Sequence, residues 1–236
     1  MYRKELSRVY ELQDLIESPR PPDAYFRDFD QSLADYPQKR RHFRDIESDL
    51  QGLDPAAWAF LKADVTSLLT ARDAKRGWQA LFDILNHAKA YNHLKRLGCT
   101  DIAFIPLSPV KGQLTPDIRA DLNSMRVLCE VKTINISEVE AARRQSGGVG
   151  TSTDRLEPGF FNKLTSDLLR AKEQMLAYDA DVATRKIVYV VVNFDDSLHE
   201  YADRYQGQID QYVTSKPVPG LEITFDIKPP FYAAMS

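Results

Sequence analysis

Pro116-Asp117 and Glu130-Val131-Lys132 hold the residues whose types and spacing could do chemistry. Side chains alternate along an extended chain, so Glu130 and Lys132 share one face while Val127, Cys129 and Val131 take the other. On the preceding stretch Asp117, Arg119 and Asp121 likewise share a face opposite Ile118, Ala120 and Leu122. A two-residue turn at Asn123-Ser124 would pair Leu122 with Met125 and carry the register on to set Asp117 opposite Glu130. Directly opposed side chains have Cβ atoms roughly 5 Å apart, and like charges there are destabilising unless something neutralises them. A divalent cation would do so: two carboxylates, a strand carbonyl and waters suit Mg²⁺ or the similar Mn²⁺, which keeps open positions for phosphate oxygens. Lys132, one pleat beyond Glu130, would then orient or deprotonate an attacking water or stabilise charge on a phosphate. The chemistry implied is phosphodiester hydrolysis. A register slip of one residue would move Asp117 to the apolar side, so the site depends on that hairpin. The competing interpretation is a charged, solvent-facing side of an antiparallel hairpin.

The elements that must hold these residues follow from the hydrophobic pattern. Residues 1–97 read as helical, with breaks at Ser18-Pro19-Arg20-Pro21-Pro22 and Asp54-Pro55. A helix over 74–97 carries Trp78, Leu81, Leu85, Ala88, Tyr91 and Leu94 and should end at Gly98. Short extended runs at 100–107, 115–121 and 125–133 then predict a three-stranded meander. Residues 134–157 are rich in Gly, Ser and Thr and are expected to form a mobile loop or flap. A helix over 160–179, a strand over 186–194, a polar helix over 197–214 and a last strand over 221–227 complete the order αβββαβαβ. The near-continuous apolar run of RKIVYVVVNF is what an interior strand buried on both faces requires.

With Pro116-Asp117 as the PD and Glu130-Val131-Lys132 as the E-x-K, the chain resembles the PD-(D/E)XK nuclease superfamily. The resemblance implies a restriction-endonuclease-like αβββαβ core, a mixed central sheet flanked by helices, over residues 71–236, with residues 1–70 as an N-terminal helical extension. It implies a Mg²⁺- or Mn²⁺-dependent nuclease, DNA being preferred to RNA by analogy. Asp117, Glu130 and the Val131 carbonyl would be metal ligands, and Lys132 the catalytic lysine. Gln174-Met-Leu-Ala-Tyr178 is similar to the Q-x-x-x-Y of the RecB-like branch. Positions i and i+4 share a helical face, so Gln174 and Tyr178 could both address the site, with Lys163 and Arg170 beside them for nucleic acid. Many members carry a Glu on the helix before the meander. Here Asn86 or His87 stands nearest; RecB-like members can use a histidine there, which makes His87 a candidate third ligand, the alternative being a structural side chain.

Composition narrows the function classes. The chain has 236 residues, 43% hydrophobic and 28% charged, with a net charge of −3, so its overall charge would not hold it on nucleic acid. Contacts must be local. Gln38-Lys-Arg-Arg-His-Phe-Arg44 is the sharpest basic cluster, and Arg143 and Arg144 in the Gly-rich loop could also grip phosphates. The alternative for the cluster is a solvated helix face, with Asp45, Glu47 and Asp49 close behind. No run approaches the ~20 apolar residues of a membrane span. The N-terminus lacks the apolar core of a signal peptide, which leads us to expect a cytoplasmic protein. Cys99 and Cys129 read as buried small residues. Tyr10, Phe26, Phe29, Phe43, Trp58 and Phe60 need a surface to bury them, either the core or a second subunit in a homodimer. A nuclease fold without turnover, acting as a nucleic-acid-binding or protein-interaction module, is the alternative function.

Overall fold

The computed structural model describes residues 2–17, 20–21, 24–74, 76–135, 154–193 and 201–228. The chain forms two compact units, the first running to Asn92 and the second beginning at His93.

The first unit contains α1 (Ser7–Asp14), α2 (Phe29–Asp35), α3 (Pro37–Gln51), α4 (Pro55–Thr66) and most of α5 (Gln79–Arg96). Two of these helices open on proline, whose fixed φ and missing N–H suit the first turn. At α4 the Asp54 carboxylate also accepts the Ala57 N–H at 2.8 Å, closing one of the orphan donors of that turn. Of the aromatics expected to need cover, Tyr10, Phe26, Phe29 and Phe43 pack on one another, Phe29 meeting Phe43 edge-on at 4.7 Å and Phe26 at 4.9 Å. α5 begins at Gln79, several residues later than the pattern suggested. Gly77 takes φ +61° and exchanges two backbone hydrogen bonds with Asp73, a tight turn that precludes helix there. Its first part belongs with α1–α4 through Tyr91, which donates to Asp54, and Asn92, which donates to the Asp49 carbonyl. The unit boundary therefore falls at 92–93, where sequence placed the extension's end at 70.

The second unit is an α/β structure around one open mixed sheet of five strands in the order β1-β2-β3-β4-β5. These are β1 (Thr100–Phe104), β2 (Ile118–Leu122), β3 (Met125–Ile134), β4 (Arg185–Asn193) and β5 (Glu222–Lys228). β1, β2 and β3 form the expected antiparallel meander, and β4 pairs parallel to β3 and β5 to β4. The parallel steps need crossovers. α6 (Pro158–Tyr178) makes the first of these, and α7 (Ala202–Ser215) lies between β4 and β5 in the chain. α6 lays Leu164, Leu168, Ala171 and Met175, its three-four stripe, on Leu128, Ile134, Val188, Val190 and Val192 of the sheet. β4 is interior to the sheet, as its apolar run required. On the opposite face the His93 ring lies 5.2 Å from that of Tyr189. β1 and β2 are shorter than their expected runs, because Pro106, Pro109 and Pro116 remove ladder donors around them.

Candidate active site

The hairpin between β2 and β3 sets the site. Asn123 and Ser124 both take positive φ, 51° and 65°, the conformation of a two-residue turn that matches the twist of its strands. The register is the one that turn dictates, Leu122 facing Met125 and Ile118 facing Cys129. One step beyond Ile118, the Asp117 Oδ2 accepts the Val131 N–H at 2.7 Å, and the Asp117 carbonyl accepts the Ile105 N–H at 2.9 Å. Asp117 is thus held from both sides, by β3 and by the end of β1.

Glu130 is only 3% exposed. The hairpin's charged face is therefore not a solvated one at this position, since Leu128, on the same face, packs under α6 and draws Glu130 into cover. A buried carboxylate must be satisfied, and Glu130 is. Its Oε1 accepts Lys132 Nζ at 2.6 Å, and its Oε2 accepts Gln174 Nε2 at 2.9 Å. The Lys132 side chain keeps 20% of its surface open against 4% for that of Glu130. Gln174 Nε2 also donates to the Thr115 carbonyl, tying α6 to the chain just ahead of Asp117. Asp117 as a residue is half-buried, yet its carboxyl is enclosed closely enough that burial pushes it up to about 6, against the opposing pulls of the Val131 N–H, Lys132 and a hydrogen bond with Glu130. Two carboxyls and one ammonium thus share a small, mostly dry volume.

Of the residues singled out from sequence, the structure brings together Asp117, Glu130, Val131, Lys132 and Gln174. Tyr178 ends α6 and stays 39% exposed. Lys163 and Arg170 are exposed on α6, Lys163 in an i,i+4 ion pair with Asp167 at 2.7 Å. His87 belongs to the first unit, where its charge bears on Asp64 of α4. Among the described residues no three His, Cys, Asp or Glu side chains are grouped to hold a metal ion. Arg143 and Arg144, with most of the Gly-rich loop, lie outside the described residues. The basic run on α3 is dispersed: Arg44 pairs with Glu5, Arg40 reaches the Leu33 carbonyl, and the His42 ring packs near Phe82.

Sequence reasoning missed two features. Glu47, noted from sequence only as one of the acids that follow the basic cluster, is buried and accepts the Arg8 and Val9 N–H groups at 3.1 and 2.9 Å, capping the start of α1. The signal was present, because Glu47 falls in the Phe43, Leu50 stripe of α3. The Thr115 carbonyl as a second partner of Gln174 had no signal. No helix among the described residues is long and apolar enough to cross a membrane. In comparisons with known proteins, no family model, curated protein or solved structure matches the chain.

Proposed function

We propose that the second unit is a metal-dependent nuclease with a restriction-endonuclease-like core, hydrolysing phosphodiester bonds in nucleic acid as a DNA endonuclease. The observation that carries this reading is the convergence of Asp117, Glu130 and Lys132 on one sheet face, with Gln174 fixing the Glu130 carboxylate. Within that unit, the order of antiparallel meander, crossover helix and parallel strand supports it. The donor set fits Mg²⁺ or Mn²⁺: with both carboxyls ionised, one lysine leaves the site short of positive charge, and the hard oxygen ligands suit these ions. Asp117, Glu130 and the Val131 carbonyl would hold the ion. Once bound, it would supply Lewis-acid stabilisation of charge building on the phosphate.

The chain's own groups do the rest. The Val131 N–H fixes the Asp117 carboxylate, and Gln174 fixes that of Glu130, so neither has to reorganise as substrate enters. Lys132 orients the attacking water and offers its ammonium to a non-bridging phosphate oxygen. The water oxygen forms its bond to phosphorus in line with the breaking bond to the sugar oxygen; the water gives up a proton to solvent, and the leaving sugar oxygen takes one up from solvent. The burial that raises Asp117 also keeps bulk water from screening these charges.

The test is cleavage of plasmid, linear duplex, single-stranded DNA and RNA with Mg²⁺ or Mn²⁺, comparing wild type with Asp117→Ala and Lys132→Ala. Metal-dependent cutting of DNA that both substitutions abolish is the expected result. One observation favours a second reading, a nuclease fold without turnover that serves as a binding module: the carboxylate pair gains no third side-chain ligand among the described residues. No cutting on any substrate, with no Mn²⁺ binding by calorimetry, would overturn the nuclease in favour of that module.

A further inference from the structure

The loop between β1 and β2, residues 105–117, grows out of the candidate site itself. At one end the Ile105 N–H donates to the Asp117 carbonyl at 2.9 Å, and at the other the Thr115 carbonyl accepts from Gln174, the residue that also holds Glu130. Between these anchors the loop turns three large apolar side chains outward, Leu107 at 88% exposed, Val110 at 61% and Leu114 at 41%. From Ile105 to Pro116 there is no acidic residue, and the one charge is that of Lys111, which makes no ion pair with a described residue. The loop is braced. Pro106 and Pro109 fix two φ angles, and Gly112 turns the tip at φ +87°. The Ser108 hydroxyl donates to Gln113 Oε1 at 2.7 Å and accepts the Val110 N–H at 3.1 Å, while Thr115 Oγ1 donates to the Pro106 carbonyl at 3.5 Å across the base. A side chain as open as Leu107 adds no burial to the fold, and on a braced loop it binds without a large ordering cost.

We propose that this loop is a wedge for the minor groove of duplex DNA, Leu107 entering between base pairs next to the phosphodiester held at Asp117 and Glu130, with Val110 and Lys111 following the groove and its phosphates. This rests on the nuclease reading and deepens it by naming the form of the substrate, a duplex bent where it is cut. Continuity with the site argues for that occupant. Leu107 stands two residues from Ile105, so its Cα lies within roughly 7 Å of the residue that grips Asp117, and a backbone seated at the carboxylates meets it. The charge agrees as well: a chain with 34 acidic residues places none on this stretch, which leaves nothing there to repel phosphates. Leucine is among the side chains that part base steps from the minor groove, kinking the duplex by roughly 20–90°. Unstacking costs least at a mismatch or a pyrimidine–purine step, so the wedge favours duplexes that already deform easily.

The test uses the full chain carrying Lys132→Ala with Mn²⁺, so that both carboxylates are kept and cutting plays no part. Its ligands are short duplexes with 2-aminopurine, an adenine analogue that brightens when unstacked, at successive positions, matched or with one mismatch. Binding is expected to raise the fluorescence at least about twofold, and the mismatched duplex to bind about tenfold tighter than the matched one. Adding Leu107→Ser should abolish the rise and the mismatch preference while thermal melting and Mn²⁺ affinity stay unchanged, since that side chain supports nothing else. Lys111→Ala should keep the rise and lower the slope of log affinity against log salt by about 1. Duplex binding without brightening, or brightening that survives Leu107→Ser, overturns the wedge; if the protein with Lys132 intact cuts these duplexes, the nuclease reading stands. Cutting confined to single strands overturns the wedge in the same way. No cutting or binding of any nucleic acid, with no Mn²⁺ binding, overturns both. Self-association that Leu107→Ser removes, read by sedimentation, would assign the loop to a second copy of the chain and likewise overturn the wedge.

Discussion

At Asp117 burial and the proposed metal-binding role oppose each other. An acid raised to about 6 on folding holds a proton between roughly pH 4 and 6 that the unfolded chain has released, so stability of the metal-free protein falls as pH rises through that window. At pH 7 the cost is on the order of 2–3 kcal/mol. Asp117→Asn keeps an oxygen for the Val131 N–H and removes the titration, so without metal it should melt higher than wild type at pH 7 and nearly equal to it at pH 4. A metal-dependent rise in Tm should appear at pH 7.5, vanish at pH 5 and be missing in the variant at both. Differential scanning calorimetry with Mn²⁺ or EDTA checks the set, and a wild type insensitive to metal at pH 7.5 would contradict it. Gln174→Leu leaves Glu130 Oε2 without its donor, and Mn²⁺ affinity and cleavage should each fall by roughly 10–100-fold. Tyr178→Phe should change neither, since that side chain stands at the exposed end of α6.

The β2–β3 hairpin and the start of α1 show how much of the arrangement an element decides. Ser124 sits at φ +65°, a region L-residues with a Cβ enter at a cost, so Ser124→Gly should stabilise the protein by about 0.5–1 kcal/mol. Inserting one residue beside it should instead shift the register and abolish metal binding, read by Mn²⁺ titration, while the secondary-structure content persists. Glu47→Ala would strip the N-terminus of α1 of its buried acceptor and should cost about 1–3 kcal/mol in urea unfolding. The hairpin was legible because a two-residue turn fixes both register and face, and β4 because no exposed strand is apolar throughout. The onset of α5 was not, since Gly77 and Asp73 close a turn inside a run whose apolar spacing continues through it. Glu47 escaped for the related reason that its charge outweighed its place in a buried stripe.

For the molecule as a whole, a net charge of −3 means that the proposed nucleic-acid binding must come from a few local cations. Removing exposed Arg170 should lower the slope of log affinity against log salt by about 1 in the Asp117→Asn background. Lys163→Ala should lower it less, because Asp167 already engages that ammonium. Fluorescence anisotropy with a labelled duplex at several salt concentrations reads both slopes, and equal slopes in all variants would remove α6 from the nucleic-acid surface. The division at 92–93 was hidden from sequence because α5 runs through it without a break in pattern. The mixed sheet also has a history in time. β1, β2 and β3 pair with near neighbours in the chain, whereas the other edge of β3 waits for β4, about fifty residues further on. At roughly 5–20 residues per second of synthesis, the strand that carries Glu130 and Lys132 emerges with one edge bare for on the order of several seconds. That edge, with Val127, Leu128, Cys129 and Val131 along it, is where a nascent chain would recruit a holdase or, failing that, another copy of itself.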